Sequence, residues 1–159
     1  MLYRHLADSA QHRREYLGII PHSAALGLEI TLADLNRCVL RLPFRAELAD
    51  AGHGGLANGA VSALLDNAGG VAVFCALDAP ADYSTLSLRV EFIAPPASGA
   101  DVYARVECVR LEGRQAHIRG VADCGSADRP GAPFATVSGV FFIKPDSRPL
   151  RDFGALGNV

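Results

Sequence analysis

Between Gly59 and Leu77 the chain reads GAVSALLDNAGGVAVFCAL, a run of apolar and small residues whose only charge is Asp66. The run is too long for a normal strand, and Ala, Leu and Val fill it without a proline, so it predicts a helix over 59–77. Apolar side chains on nearly every side mark a central helix enclosed by the rest of the fold. Its richness in Gly and Ala, and the charge at its centre, argue against a membrane span. An isolated carboxylate is costly to bury in such a segment, so Asp66 asks for a reason. It either meets a structural partner or works as a general base or nucleophile, its pKa raised by burial toward the working pH. Gly69-Gly70 costs the helix about 1 kcal/mol per glycine relative to alanine. That points to a strand, a second subunit or a ligand packed close, or to local flexibility.

Upstream lies GHGGLANGA (Gly52 to Ala60), a permissive loop at the helix N-terminus, where free backbone N–H groups can polarise a carbonyl or bind an oxyanion. Before it, Tyr3 to Leu17 suits one amphipathic helix closed by Gly18 and Pro21, and Leu26 to Phe44 alternates as two short strands around a turn at Asp34 to Asn36. After the helix come four longer strands, YSTLSLRVEFIAP, ADVYARVECVRLEG, RQAHIRGVADCG and PFATVSGVFFIKP, with turn signals between them. In the first of these, Leu86, Leu88, Val90 and Phe92 alternate with Thr85, Ser87, Arg89 and Glu91. Two strands, one buried helix and four strands make an α+β pattern, in which an antiparallel sheet wraps around one long central helix. The uncovered sheet face and edges call for a second copy, so a homodimer at least is expected.

The 159 residues suffice for one core without disulfides, and a net charge of −2 with no Lys/Arg run gives no footprint for nucleic acid. Cys38, Cys75, Cys108 and Cys124 stand apart in apolar or alternating segments, as reduced core thiols do, which points to the cytoplasm. The charged N-terminal stretch predicts neither a signal peptide nor an anchor. The chain divides into an N-terminal helical segment (1–25), one main domain (26–144) and a C-terminal tail (145–159) that is expected to be loosely held. His5, His12, His22, His53 and His117 have no metal-ligand spacing, so no metal is expected, and His117 reads as a strand residue facing away from Ile118. Ser62 lies outside a G-x-S-x-G motif and Cys75 has no positioned His, which disfavours both as nucleophiles.

The Gly-rich loop, LLDNAGG in the buried helix, the strand STLSLRVEFIAPPASG and the turn Glu112-Gly113-Arg114 together resemble the PaaI-like (phenylacetic acid pathway) hotdog-fold thioesterases, over roughly Leu26 to Ile143. That resemblance implies hydrolysis of acyl-CoA thioesters with no cofactor, coenzyme A being part of the substrate. The family's helix acid falls on Asp66, and the hydroxyl that orients the attacking water falls on Thr85. The family's His-Gly-Gly is present as His53-Gly54-Gly55, but thirteen residues before the acid, further than the family places it. At the nearer spacing stand Ala57, Asn58 and Gly59, so the oxyanion donors are either in the first triplet or at Asn58 and Gly59. The resemblance also implies a site shared between subunits of a homodimer or homotetramer, with coenzyme A phosphates near basic residues such as Arg89 or Arg114.

Two other functions stay open on the same fold. Hotdog dehydratases acting on 3-hydroxyacyl thioesters pair a loop His with a helix acid at close to the spacing of His53 and Asp66, although the loop lacks the prolines expected there. A non-catalytic acyl-CoA-binding domain is the third reading.

Overall fold

A computed structural model describes residues 2–144, so the tail expected at 145–159 lies outside the described residues. Six antiparallel strands form one sheet in the order β1-β2-β4-β5-β6-β3, where β1 is Glu29–Asp34, β2 Arg37–Leu42, β3 Tyr83–Phe92, β4 Val102–Glu112, β5 Gln115–Asp123 and β6 Pro133–Ile143. The central helix, Asn58–Ala76, lies across one face of this sheet, within a residue of the span expected from sequence. It is α4 in chain order, after three short helices described below. The architecture is the α+β arrangement of a sheet around one helix that the sequence predicts.

Packing explains why so apolar a helix belongs inside. Leu64, Leu65, Ala68 and Ala72 of α4 are fully buried, as are Leu40, Leu42, Val102, Ala104 and Ala116 of the sheet, in one shared core. Each leucine so buried contributes roughly 1.5–3 kcal/mol relative to an exposed one. By length and composition α4 could cross a membrane, but most of it is buried within this fold. All four cysteines are free, with Cys38, Cys75 and Cys108 buried. In Cys38 and Cys75 the thiol is pushed up in pKa chiefly by burial, as inert core thiols are.

The N-terminal segment differs from the single helix expected over Tyr3 to Leu17. It forms α1 (Tyr3–Ala7), α2 (Ala10–Gly18) and α3 (Pro21–Leu26). The break falls at Asp8-Ser9 because Ser9 leaves the helical conformation and caps α2, its hydroxyl accepting the His12 N–H at 3.2 Å. Pro21 opens α3 rather than closing the helix before it, as its fixed φ and missing N–H suit the first turn. Leu2, Leu6, Leu17 and Leu26 from these helices and their flanks join the main core.

The face assignment of β3 also differs from simple alternation. Thr85 pairs with Phe141, then the register shifts so that Ser87 pairs with Val140 and Leu88 with Gly139. The extra residue, Leu86, is 58% exposed, and the bulge switches the strand's parity. Thr85 therefore shares the helix-facing side with Leu88, Val90 and Phe92, while Leu86 leaves the apolar row to which alternation assigns it.

Candidate active site

Asp66 sits mid-helix on the side of α4 that faces β3, an edge strand. The bulge at Leu86 aims Thr85 at it, and Thr85 Oγ1 donates to Asp66 Oδ1 at 2.9 Å. Asp66 is half-buried and Thr85 exposed, so the pair opens outward from the single chain instead of lying sealed in the core. This corrects the expectation of a carboxylate enclosed on most sides: α4 is buried as a whole, but its acid occupies the stripe left open along the sheet edge. Next to it, Asn67 is fixed by two bonds. Its Oδ1 accepts from the buried Ser23 hydroxyl at 2.5 Å, and its Nδ2 donates to Ala63 O at 2.8 Å. The first of these bonds ties α3 to α4 beside the acid, and the second lies within α4.

The loop before α4 is locked by its own hydrogen bonds. Gly54 N–H donates to Asp50 O at 2.8 Å, and Gly55 N–H donates to His53 Nδ1 at 3.1 Å. An Nδ1 that accepts places the ring proton on Nε2, which lies 3.8 Å from Asp50 Oδ1. Gly54 has φ +71°, and a Cβ at Gly55 would lie 2.4 Å from the carbonyl oxygen of Pro96. Both glycines thus fit the loop against the turn between β3 and β4. No hydrogen bond or ion pair joins His53 to Asp66 among the described residues.

Asn58 and Gly59 are placed differently. They are the first two residues of α4, both exposed, and the helix ladder begins only with Val61 N–H to Ala57 O at 3.1 Å. Among the described residues no side-chain hydrogen bond caps this terminus, which stands at the positive end of the helix dipole, where first-turn N–H groups lack intrahelical partners.

The two arginines lie away from the acid within the chain. Arg89 is exposed on the sheet face opposite α4, where it pairs with Glu91 at 2.7 Å. Arg114 is exposed in the two-residue hairpin turn between β4 and β5, after Gly113 at φ +58°, and its carbonyl accepts the Ile143 N–H at 2.8 Å. Among the described residues, no cluster of three His, Cys, Asp or Glu side chains could hold a metal ion.

Residues that the sequence reading passed over complete the surroundings. Tyr83, two positions before Thr85 and so on the same strand face, has its hydroxyl hydrogen-bonded to that of Tyr16 from α2. Tyr16 packs on Phe74 with ring centroids 5.0 Å apart, and Tyr83 meets Phe141 edge-on at 6.2 Å. Burial, more than the mutual contact, raises the pKa of both phenols and keeps them as hydroxyl groups. The period-two position of Tyr83 relative to Thr85 is a signal that sequence alone carries. The Tyr16 contact, 67 residues away in the chain, is not.

Comparison with known proteins agrees with this fold. The thioesterase superfamily profile matches residues 53–125. The chain is 32% identical to a Pseudomonas aeruginosa protein of known structure, with TM-score 0.71, covering 85% of this chain and 98% of that one. It is 30% identical to a mutant of the phenylacetic acid degradation protein PaaI from Thermus thermophilus, with TM-score 0.65, covering 77% of this chain and 97% of that one. The E. coli PaaI protein, at 15% identity and TM-score 0.70 over 85% of this chain and 93% of that one, shares the fold. No curated protein matches. With an edge-strand hydroxyl on a helix acid, one antiparallel sheet around one helix, and full-length relatives at this identity, the chain belongs to the thioesterase superfamily as a PaaI-like protein of the hotdog fold.

Proposed function

We propose that this protein hydrolyses acyl-CoA thioesters to the free acid and coenzyme A, with Asp66 as general base or nucleophile. The observation that carries the reading is the 2.9 Å hydrogen bond from Thr85 Oγ1 to Asp66 Oδ1 at an open sheet edge. The Thr85 oxygen keeps lone pairs after donating, so one water can donate to both Asp66 Oδ2 and Thr85 Oγ1. Its own lone pair then faces a thioester carbonyl. In the base route Asp66 takes the water proton as the oxygen bonds to the carbonyl carbon, the C–S bond breaks, and the proton passes to the departing thiolate. In the nucleophile route a carboxylate oxygen bonds to that carbon, the thiolate leaves, and water hydrolyses the resulting anhydride.

Either route builds negative charge on the carbonyl oxygen and needs donors there. The N–H groups of Gly54 and Gly55 are engaged within their loop, which favours Asn58 and Gly59 for this task. At about 1.5 Å rise per residue, those N–H groups lie about 11–12 Å from Asp66 along the same helix. That separation is too long for one chain's terminus and acid to hold one carbonyl. A second copy therefore supplies the donors, which makes a dimer the smallest complete unit, with doubling to a tetramer compatible with the same site. The exposed Leu86 and Ile93 on and just past edge strand β3 fit that contact. Coenzyme A then runs over the boundary, its phosphates within reach of Arg114 or Arg89 of the second copy, and the four free thiols fit a reducing cytoplasm.

The test is a panel of acyl-CoA thioesters with release of free thiol followed in time. Turnover of at least one of them is expected, and silence across acetyl, aliphatic and aromatic acyl groups would overturn the proposal.

A further inference from the structure

The two adjacent glycines of α4 have different reasons to be there. A methyl group at Gly69 would lie 2.9 Å from Phe141 Cε2 and 3.0 Å from its Cζ, so packing against β6 excludes it. A methyl at Gly70 would meet Tyr83 Cε2 at 3.6 Å and Phe141 Cε1 at 4.0 Å, which is ordinary contact. Chain packing leaves Gly70 unexplained, although a helical glycine costs about 1 kcal/mol relative to alanine.

Gly70 follows Asp66 by one helical turn on the same face and is half-buried. Tyr83 flanks it as Thr85 flanks Asp66, so the two pairs form successive steps of one groove between α4 and β3. Past Gly70 the groove is closed by fixed aromatic rings. Tyr83 is tied by its hydroxyl to Tyr16, and Tyr16 rests on Phe74, one turn beyond Gly70. In the other direction lie Ser62, half-buried, and Gly59, exposed. That end is open to water.

On the reading of Asp66 as the reacting acid, we infer that Gly70 and the Tyr83–Tyr16 pair form the closed end of the acyl slot and determine acyl size. The polar coenzyme A leaves by the wet end, and the apolar acyl group takes the aromatic end. One turn, about 5.4 Å, accommodates one aromatic ring or about four carbons, and no long alkyl chain.

The test compares acetyl-, benzoyl- and palmitoyl-CoA on the wild type, Gly70→Ala and Gly70→Met, with oligomeric state followed by light scattering. The wild type is expected to prefer benzoyl- over palmitoyl-CoA by about tenfold or more in kcat/KM. Gly70→Ala is expected to keep the oligomer, and its melting temperature should not fall. In at least one of the two variants the ratio of acetyl- to benzoyl-CoA turnover should rise by about tenfold or more over the wild type. An equal loss on acetyl and benzoyl substrates, or dissociation of Gly70→Ala into monomers, would assign the space to a partner subunit and overturn the inference. Calorimetric binding of the same three ligands to Asp66→Asn, with and without Gly70→Met, separates the two readings. Size-selective binding without any wild-type hydrolysis sinks the thioesterase reading and supports the slot. Equal binding of all three sinks the slot.

Discussion

Thr85 Oγ1 lies 2.9 Å from Asp66 Oδ1, and the two residues meet only because β3 bulges at Leu86. A strand without the bulge turns Thr85 to the far face of the sheet and leaves the carboxylate with no donor from β3. The bond fixes which carboxylate oxygen is occupied and which faces the open edge. It therefore couples strand geometry directly to the proposed chemistry.

Replacing Asp66 with Asn keeps the shape and removes the base. Hydrolysis of the best acyl-CoA is expected to fall by about 10²–10⁴, with the circular dichroism spectrum unchanged. More than about half of the wild-type kcat remaining would remove Asp66 from the mechanism.

Thr85→Val should lower kcat by roughly tenfold or more and leave KM nearly unchanged, because the hydroxyl acts mainly in the transition state. Thr85→Ser keeps the donor and should recover most of the loss. Steady-state kinetics that put the whole effect in KM would return Thr85 to a binding role.

The separation of the helix terminus from the acid predicts that activity needs two copies. Light scattering should give a dimer or larger species across the working concentration range, and an active monomer would refute the shared site. Arg114→Ala should raise KM for acyl-CoA more than it lowers kcat, since a contact to coenzyme A is the same in ground and transition states. Its backbone bond to Ile143 survives the change, so the fold should be unaffected.

Gly69→Ala is expected to destabilise the protein by about 1–3 kcal/mol, because the new methyl overlaps the Phe141 ring. Thermal unfolding measures this directly. A melting temperature equal to the wild type would mean that Phe141 moves aside freely.

Asp123 is fully buried, pairs with Arg105 at 2.7 Å and accepts the N–H groups of Gly125 at 2.8 Å and Gly131 at 3.0 Å. The same guanidinium reaches the carbonyls of Ser126 and Ala127, so one ion pair holds the β5–β6 loop. Arg105→Ala leaves the carboxylate buried without its counter-charge and should cost about 3–5 kcal/mol. Denaturant unfolding that shows less than about 1 kcal/mol, the ceiling for an exposed pair, would argue that water replaces the arginine.

Local patterning was enough for the sheet strands and for the central helix with its single acid, whereas Thr85 was singled out only by the resemblance to the PaaI-like thioesterases. Hydrophobic period and length are properties of neighbouring residues, and a long proline-free run of apolar and small residues with one central charge reads as a buried helix. The same patterning put the start of the helix just after the Gly-rich loop, where the first turn of any helix leaves N–H groups without intrahelical partners. Other features came only with the folded chain. Alternation puts Thr85 with Ser87 and Arg89, and only the pairing with β6 reveals the bulge that turns it inward. His53-Gly54-Gly55 looks like an open donor loop in sequence, yet its two glycine amides are taken by Asp50 and His53, with Gly55 packed on Pro96. Gly69 and Gly70 are indistinguishable as letters. Phe141, far along the chain on β6, excludes a side chain at the first and merely touches the second, because close contact depends on three-dimensional neighbours that no local pattern encodes.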